Sequence, residues 1–157
     1  MNKRRSFIKK TILGGVGAST LLSCETPKES GTKATYPRII STWNHGVSAN
    51  QEAWKYLMQG QSGLLAVEAG VKIPEADPKV RSVGYGGYPD REGIVTLDAC
   101  IMDKNNNCGS VSFLQYIKHP ISVAKLVMEE TPHIMLSGKG AFDFAVSKGF
   151  KKENLLT

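Results

Sequence analysis

What this 157-residue chain lacks already narrows its possible functions. No stretch is built to cross a membrane as a helix. The apolar run from Thr11 to Ser23 is broken by Gly14, Gly15 and Gly17 and falls short of the roughly 20 apolar residues a bilayer requires. Cysteine is scarce (Cys24, Cys100 and Cys108), and His45, His119 and His133 show no metal-ligand spacing. Zinc-type sites need such ligands in close groups, so no metal or cofactor is expected. None of the histidines sits in a nucleophile–base motif, and all three read as structural, His119 and His133 as loop residues. The glycine segment Gly84-Tyr85-Gly86-Gly87 leads through Pro89 and Asp90 toward a strand. A phosphate cradle would instead open a helix; a backbone closing on a pocket or a neighbouring loop suits these glycines better.

The positive charge is deceptive. The chain carries 20 Lys and Arg against 14 Asp and Glu, a net of +6. Five of the basic residues, Lys3, Arg4, Arg5, Lys9 and Lys10, precede the first acidic residue, so the remainder carries 15 against 14, a net of +1. A nucleic-acid partner would need basic residues gathered on a folded face, and none is expected. KRRSFIKK (residues 3–10) has the pattern of a twin-arginine export signal. Leu21-Leu22-Ser23-Cys24 looks like a lipobox, which would place a lipidated Cys24 at the mature N-terminus and anchor the protein to a membrane; Leu22 is bulky for that motif, and ordinary cleavage nearby is the alternative. The division read from this is an export signal over residues 1–24, a polar, turn-rich tether over 25–35 and a folded portion over 36–157, in the periplasm or the membrane-anchored cell envelope.

In the folded portion, strand and helix patterns alternate. Arg38–Trp43 reads as a short strand. Ser48 and Gln51 have the spacing of a capping box, opening a helix through Ala49, Ala53, Trp54, Leu57 and Met58 that stops at Gly60. A second helix over 63–73 places Leu64, Val67 and Val71 on one face, with Pro74 and Pro78 ending it. Residues 94–102 and 109–116 form a hairpin, the first strand apolar on both faces and hence covered on both. Centred on Asn105, the hairpin sets Asp98 opposite Ser112, and Cys100 and Cys108 fall in diagonal positions as buried free thiols. Pro120 opens a helix over 120–130, His133–Leu136 is a further strand, and a helix over 140–148 ends at Gly149. The order β-α-α-β-β-α-β-α implies an α/β (α+β) layered fold in which helices cover a largely antiparallel sheet.

Two segments carry candidate chemistry. In STWNHG, Trp43 is either a core indole or a pocket wall; in RSVGYGG, Ser82 is either a loop cap or a site residue. Together with EAWKYLMQG, AVEAGV, EADPKVRSVGYGG, TLDACIMD, HPISVAKLVMEETPHIML and GFKKENLLT, they make the chain resemble the glycosylasparaginases, members of the N-terminal-nucleophile amidohydrolases. The resemblance implies the first half of an αββα sandwich. It implies that Trp43 helps to form the substrate pocket and that Ser82 orders the surroundings of the nucleophile, with Asn44 and Gly86 as secondary candidates. It also implies that the nucleophilic threonine and the groups holding the substrate's α-carboxylate and α-amine lie beyond Thr157, so that no catalytic residue is expected on this chain. Partners implied are a C-terminal half, a glycosylasparagine or asparagine substrate, and further copies in a homo-oligomer when complete. A lone half would expose unpaired strand edges and apolar surface. Departures from the family pattern stand at His45, Leu65, Tyr88 and Lys139: the first and third would alter pocket shape, and Leu65 would alter packing. A non-enzymatic exported lipoprotein with a binding role, and an L-asparaginase or isoaspartyl peptidase of the same superfamily, are the alternative functions.

Overall fold

A turn, rather than a strand, leads into the first helix. The computed structural model describes residues 36–157, so the proposed signal, tether and Cys24 lie outside the described residues. Residues 37–41 carry no strand: Ile40 is 89% exposed, and the Ser41 hydroxyl bonds the Asn50 side chain at 2.5 Å. The β-rich composition of RIISTW is not enough by itself, because a strand needs a ladder partner and none lies beside it among the described residues. The Gly46 N–H donates to the Trp43 carbonyl at 2.8 Å, so helix α1 (Gly46–Met58) begins two residues before the expected box. Ser48 therefore lies inside the first turn and donates its hydroxyl to the His45 carbonyl at 2.8 Å instead of capping N–H groups. Ala49 and Ala53 are buried, Trp54 and Met58 exposed, and Gly60 closes the helix as expected.

Helix α2 (Gly63–Ala76) is capped by Ser62, whose hydroxyl accepts from the Leu65 N–H at 3.3 Å. It runs through Pro74 rather than stopping there; in a final turn the missing N–H forfeits one bond without breaking the helix. Leu64 and Val71 pack against the core, whereas Val67 and Leu65 are exposed.

Strands β1 (Thr96–Met102) and β2 (Cys108–Gln115) pair antiparallel in the expected register from Met102↔Cys108 to Ala99↔Val111. A bulge then shifts the pairing to Leu97↔Leu114. Asp98 does not face Ser112: its carboxylate accepts the Phe113 N–H at 2.8 Å, while Ser112 bonds the Ser137 hydroxyl. The extra residue lets the carboxylate take a backbone donor that a regular ladder would have used. Phe113 and Tyr116 sit at φ +51° and +63° around this irregularity. In the connecting turn Asp103 accepts the Asn105 and Asn107 N–H groups; the Asn107 side-chain amide, first among these bonds, holds its carboxyl below the ordinary range.

Helix α3 (Pro120–Glu130) matches its expected span and is followed by the short strand β3 (Met135–Ser137) and helix α4 (Gly138–Ser147), with Gly149 just beyond. β3 pairs parallel with β2, so the sheet, ordered β1-β2-β3, is mixed rather than largely antiparallel. One face is filled by Ile101, Val111, Leu114, Val123, Ala124, Val127, Ala141 and Ala145. The other face of β1 is not covered among the described residues: Met102 is 61% exposed and Cys100 is an exposed free thiol, not a buried one. No described helix is long and apolar enough to cross a membrane.

Glu75, in the last turn of α2, joins three parts of this framework. Its carboxylate, 3% exposed, accepts the Ile121 N–H at 3.1 Å and meets His119 Nδ1 at 3.1 Å, at the start of α3. Its backbone carbonyl accepts the Tyr85 N–H at 2.7 Å. Gly84, at φ +57°, lies so close that a Cβ there would stand 2.0 Å from that carbonyl oxygen. Burial raises the Glu75 carboxyl above its ordinary 4.5, opposed by the His119 and Ile121 bonds and by Lys72. His119 lies, as expected, in the loop before α3, where it is tied to Glu75.

Two outcomes are expected of the intact protein. A Cβ on Gly109 would meet the Ala124 carbonyl at 2.2 Å and the Met128 N at 2.6 Å, so Gly109→Ala should cost about 1–3 kcal/mol in denaturant unfolding; an unchanged midpoint would refute the close approach. A carboxyl whose proton is held more tightly when folded contributes stability that is complete below its unfolded value and is lost as pH rises through its folded value. The stability of the wild type minus that of Glu75→Gln should therefore fall as pH rises above about 4.5, and a difference flat with pH would show that Glu75 does not titrate in this way.

Candidate functional site

The segment that failed to form a strand delivers the aromatic residue of the site. Trp43 is held by the turn before α1, with its indole 69% exposed and parallel to the His45 ring, centroids 6.2 Å apart and planes within 4°. An indole so exposed is not a core residue. The neighbouring Asn44 uses its side-chain oxygen locally, accepting the His45 N–H at 2.9 Å, which fixes the turn that presents the stacked pair.

Ser82 arrives from the glycine segment. It is exposed, two residues before Gly84, the point at which the segment is pressed against Glu75. Four N–H groups of this segment are spent inside the protein: Tyr85 on Glu75, Gly86 on the Leu155 carbonyl at 2.8 Å, Gly87 on Gly84 and Tyr88 on Arg81. They are not free to cradle a phosphate, and the glycines close on neighbouring backbone as expected.

Trp43 and Ser82, distant in sequence, line one cleft of about 540 Å³. Its walls also include His45, Glu75, Asp98 and Cys100, so the inner part of the cleft is bordered by two carboxylates. A second, outer cleft of about 560 Å³ shares Trp43, His45 and Ser82 and adds Asn44, Lys79, Arg81 and Tyr88. Two of the residues that depart from the family pattern, His45 and Tyr88, therefore meet at the outer cleft, where the Arg81 guanidinium lies 5.4 Å from the centre of the Tyr88 ring. Gly86 is not brought to either cleft. It is buried at φ +82° against Pro78, and a Cβ there would stand 3.0 Å from the Thr157 hydroxyl; its contacts hold the C-terminal segment down. Lys139 is likewise elsewhere, paired with Asp143 along α4.

The sequence pattern did not place Glu75, Asp98 or Cys100 among the candidate site residues, although it gave Asp98 and Cys100 places in the hairpin. For Glu75 a signal existed: it lies four residues beyond Val71, on the apolar stripe of α2, where an unpartnered carboxylate would be costly. For Asp98 none did, because the bulge that turns it toward Phe113 has no mark in the local pattern. No group of three or more His, Cys, Asp or Glu side chains suited to a metal occurs among the described residues.

Comparison with known proteins identifies the family. The Asparaginase_2 family model, described as asparaginase, matches residues 29–157. The chain is 55% identical to an N(4)-(β-N-acetylglucosaminyl)-L-asparaginase of Elizabethkingia miricola, over 99% of this chain and 47% of that protein. A protein of the same name from Rattus norvegicus is 43% identical over 77% of this chain and 35% of its own length. A putative N(4)-(β-N-acetylglucosaminyl)-L-asparaginase of Drosophila melanogaster is 44% identical over 77% of this chain and 32% of its own. The chain thus spans between about a third and a half of the length of these relatives. With the family model covering all of the described residues and this identity to proteins of one name, the chain belongs to the asparaginase family of N-terminal-nucleophile hydrolases, among the glycosylasparaginases.

Proposed function

We propose that this chain supplies one part of an exported amidohydrolase that cleaves the side-chain amide of N4-glycosylated asparagine, giving aspartate and a glycosylamine. The observation that carries this reading is the meeting of Trp43 and Ser82 in one cleft, in a chain whose relatives bear that name. The hydrolysis needs a threonine whose own α-amine is free. Its hydroxyl attacks the amide carbonyl while the α-amine takes the proton; the C–N bond breaks, the glycosylamine leaves with that proton, and water then splits the ester to free aspartate. Thr157 cannot serve, since its amine is bound in the peptide to Leu156. In this proposal the nucleophile and the groups holding the substrate's α-carboxylate and α-amine come from a C-terminal half that completes an αββα sandwich and a homo-oligomer. The open face of β1 is the surface on which such a second layer would rest.

Within that scheme Trp43 forms a wall of the pocket and Ser82 orders the groups around the nucleophile. Glu75 acts through Ser82 by fixing the glycine segment, so it is a positioning residue. Asn44 holds the turn that presents Trp43, and Gly86 secures the segment after α4. Export by the twin-arginine route, with Cys24 as a lipid anchor in the periplasmic cell envelope, belongs to the same proposal and rests on the leader motifs alone.

Two measurements test it. With a chromogenic or fluorogenic N4-glycosylasparagine, the protein joined to its second half should turn over, and residues 1–157 alone should not. Trp43→Ala and Ser82→Ala should each lower kcat/KM by roughly 10- to 100-fold, the cost of misplacing reacting groups. Turnover by the lone chain, or full activity in both variants, would overturn the assignment; faster turnover of free asparagine or an isoaspartyl peptide would move it within the superfamily. For export, a folded reporter fused after residue 35 should reach the envelope and take up labelled fatty acid. Replacing Arg4 and Arg5 by lysine should retain it in the cytoplasm, and Cys24→Ala should abolish only the label.

A further inference from the structure

A further cavity, which shares no residue with the two clefts, is built from aromatic rings on strained backbone. It has a volume of about 320 Å³ where β2 ends and α4 begins, and its walls include Phe113, Tyr116, Gly138, Lys139, Phe142 and Lys152. Phe113 at φ +51° and Tyr116 at φ +63° have left-handed backbone, as does Gly138 at φ +53°. Bulky residues rarely adopt it, and such strain persists where the surroundings enforce it, typically at sites that bind or react. Here the enforcing contacts are a pair of hydrogen bonds. The Phe113 N–H donates to the Asp98 carboxylate at 2.8 Å, and the Tyr116 carbonyl accepts the Glu153 N–H at 2.8 Å. The second bond sets Lys152, one residue earlier, over the Tyr116 ring, with Nζ 4.4 Å from its centre. Tyr116 and Phe142 meet edge to face, centroids 6.1 Å apart, and Phe113 stays 54% exposed.

The charge on these walls has one sign: two lysines and no acidic side chain. Lys139 is paired with Asp143, but Lys152 is in no ion pair among the described residues. An ammonium resting on a ring face, rather than on a carboxylate, keeps its charge and its N–H donors available to an anion. We propose that this cavity binds a small aromatic carboxylate, its ring against Phe113, Tyr116 and Phe142 and its carboxylate accepting from the Lys152 ammonium, with Lys139 adding positive charge beside it. A bare inorganic anion would leave the rings unused, and a neutral aromatic would leave Lys152 unanswered; a ligand with both parts meets the whole wall. The inference does not rest on the amide-hydrolysis reading, because no residue of this cavity lines either cleft.

The test uses three probes, phenylacetate, phenylacetamide and acetate, titrated by NMR on the Phe113 and Gly138 N–H signals. It is run on the full chain alone and joined to a second half. Phenylacetate should bind tighter than its neutral amide by roughly 5- to 10-fold at low salt, and the ratio should shrink as ionic strength rises toward about 0.5 M. Acetate, which has no ring to bury, should bind roughly 10-fold more weakly than phenylacetate. Lys152→Gln, at an exposed position, should bring the ratio of acid to amide close to one. Phe113→Leu, likewise exposed, should weaken both aromatic probes and leave acetate unchanged. Equal affinities for acid and amide, acetate binding as well as phenylacetate, no binding at all, or a preference that survives Lys152→Gln would overturn the proposal. Binding to the lone chain that vanishes in the joined protein would also overturn it, the cavity then being a surface that the second half covers.

Discussion

The candidate site depends on how one buried carboxylate is satisfied. Glu75 is buried at the end of α2, and a charge taken from water is tolerated only where hydrogen bonds and a partner replace its hydration. The Ile121 N–H and His119 at the head of α3 meet that demand. Meeting it fixes the distance between two helices that otherwise touch little. The carbonyl of the same residue receives the glycine segment through Tyr85. Helix end, helix start and loop are thereby set in one arrangement, and Ser82 takes its place at the cleft as a consequence.

The glycines of RSVGYGG have their physical reason in that joint. At Gly84 a side chain would overlap the Glu75 carbonyl, and its positive φ is strained for any residue with a Cβ. A motif that resembles a phosphate loop in composition is therefore a packing device, with the N–H groups of Tyr85, Gly86, Gly87 and Tyr88 committed to protein acceptors. The same economy appears at Gly109, where β2 approaches α3 closely enough to exclude a methyl group. Backbones brought so near bury the small apolar core more completely, which matters in a chain of modest size.

The sheet itself is lopsided. One face packs against α3 and α4, while the other presents Met102 and Cys100 and leaves Phe113 54% exposed. Both outer strands, β1 and β3, have one side unpaired among the described residues. Surfaces of this kind are liabilities unless another element covers them. The span of the relatives, two to three times that of the chain, accords with a layer completed from elsewhere.

Much of the architecture was legible in the linear pattern, and the helices show why. The apolar positions of α3, its opening proline and the asparagine-rich turn between β1 and β2 act over a few residues, so local rules sufficed for their spans and for the hairpin register as far as Ala99. The family was legible too, since the segments around Trp43 and Ser82 lie intact in the chain. The tertiary structure decided what local rules cannot reach: RIISTW, β-rich by composition, stayed without a strand because no partner lies beside it, and the bulge at Asp98 arose from a carboxylate competing for the Phe113 N–H. Glu75 and His119, 44 residues apart, became neighbours only when α2 packed near α3. The sequence by itself thus determined the helices, the hairpin and two of the residues, Trp43 and Ser82, that border the cleft. Their assembly into a cleft with an acidic interior and a basic rim was decided by folding, because burial and long-range hydrogen bonding depend on what lies across space rather than along the chain.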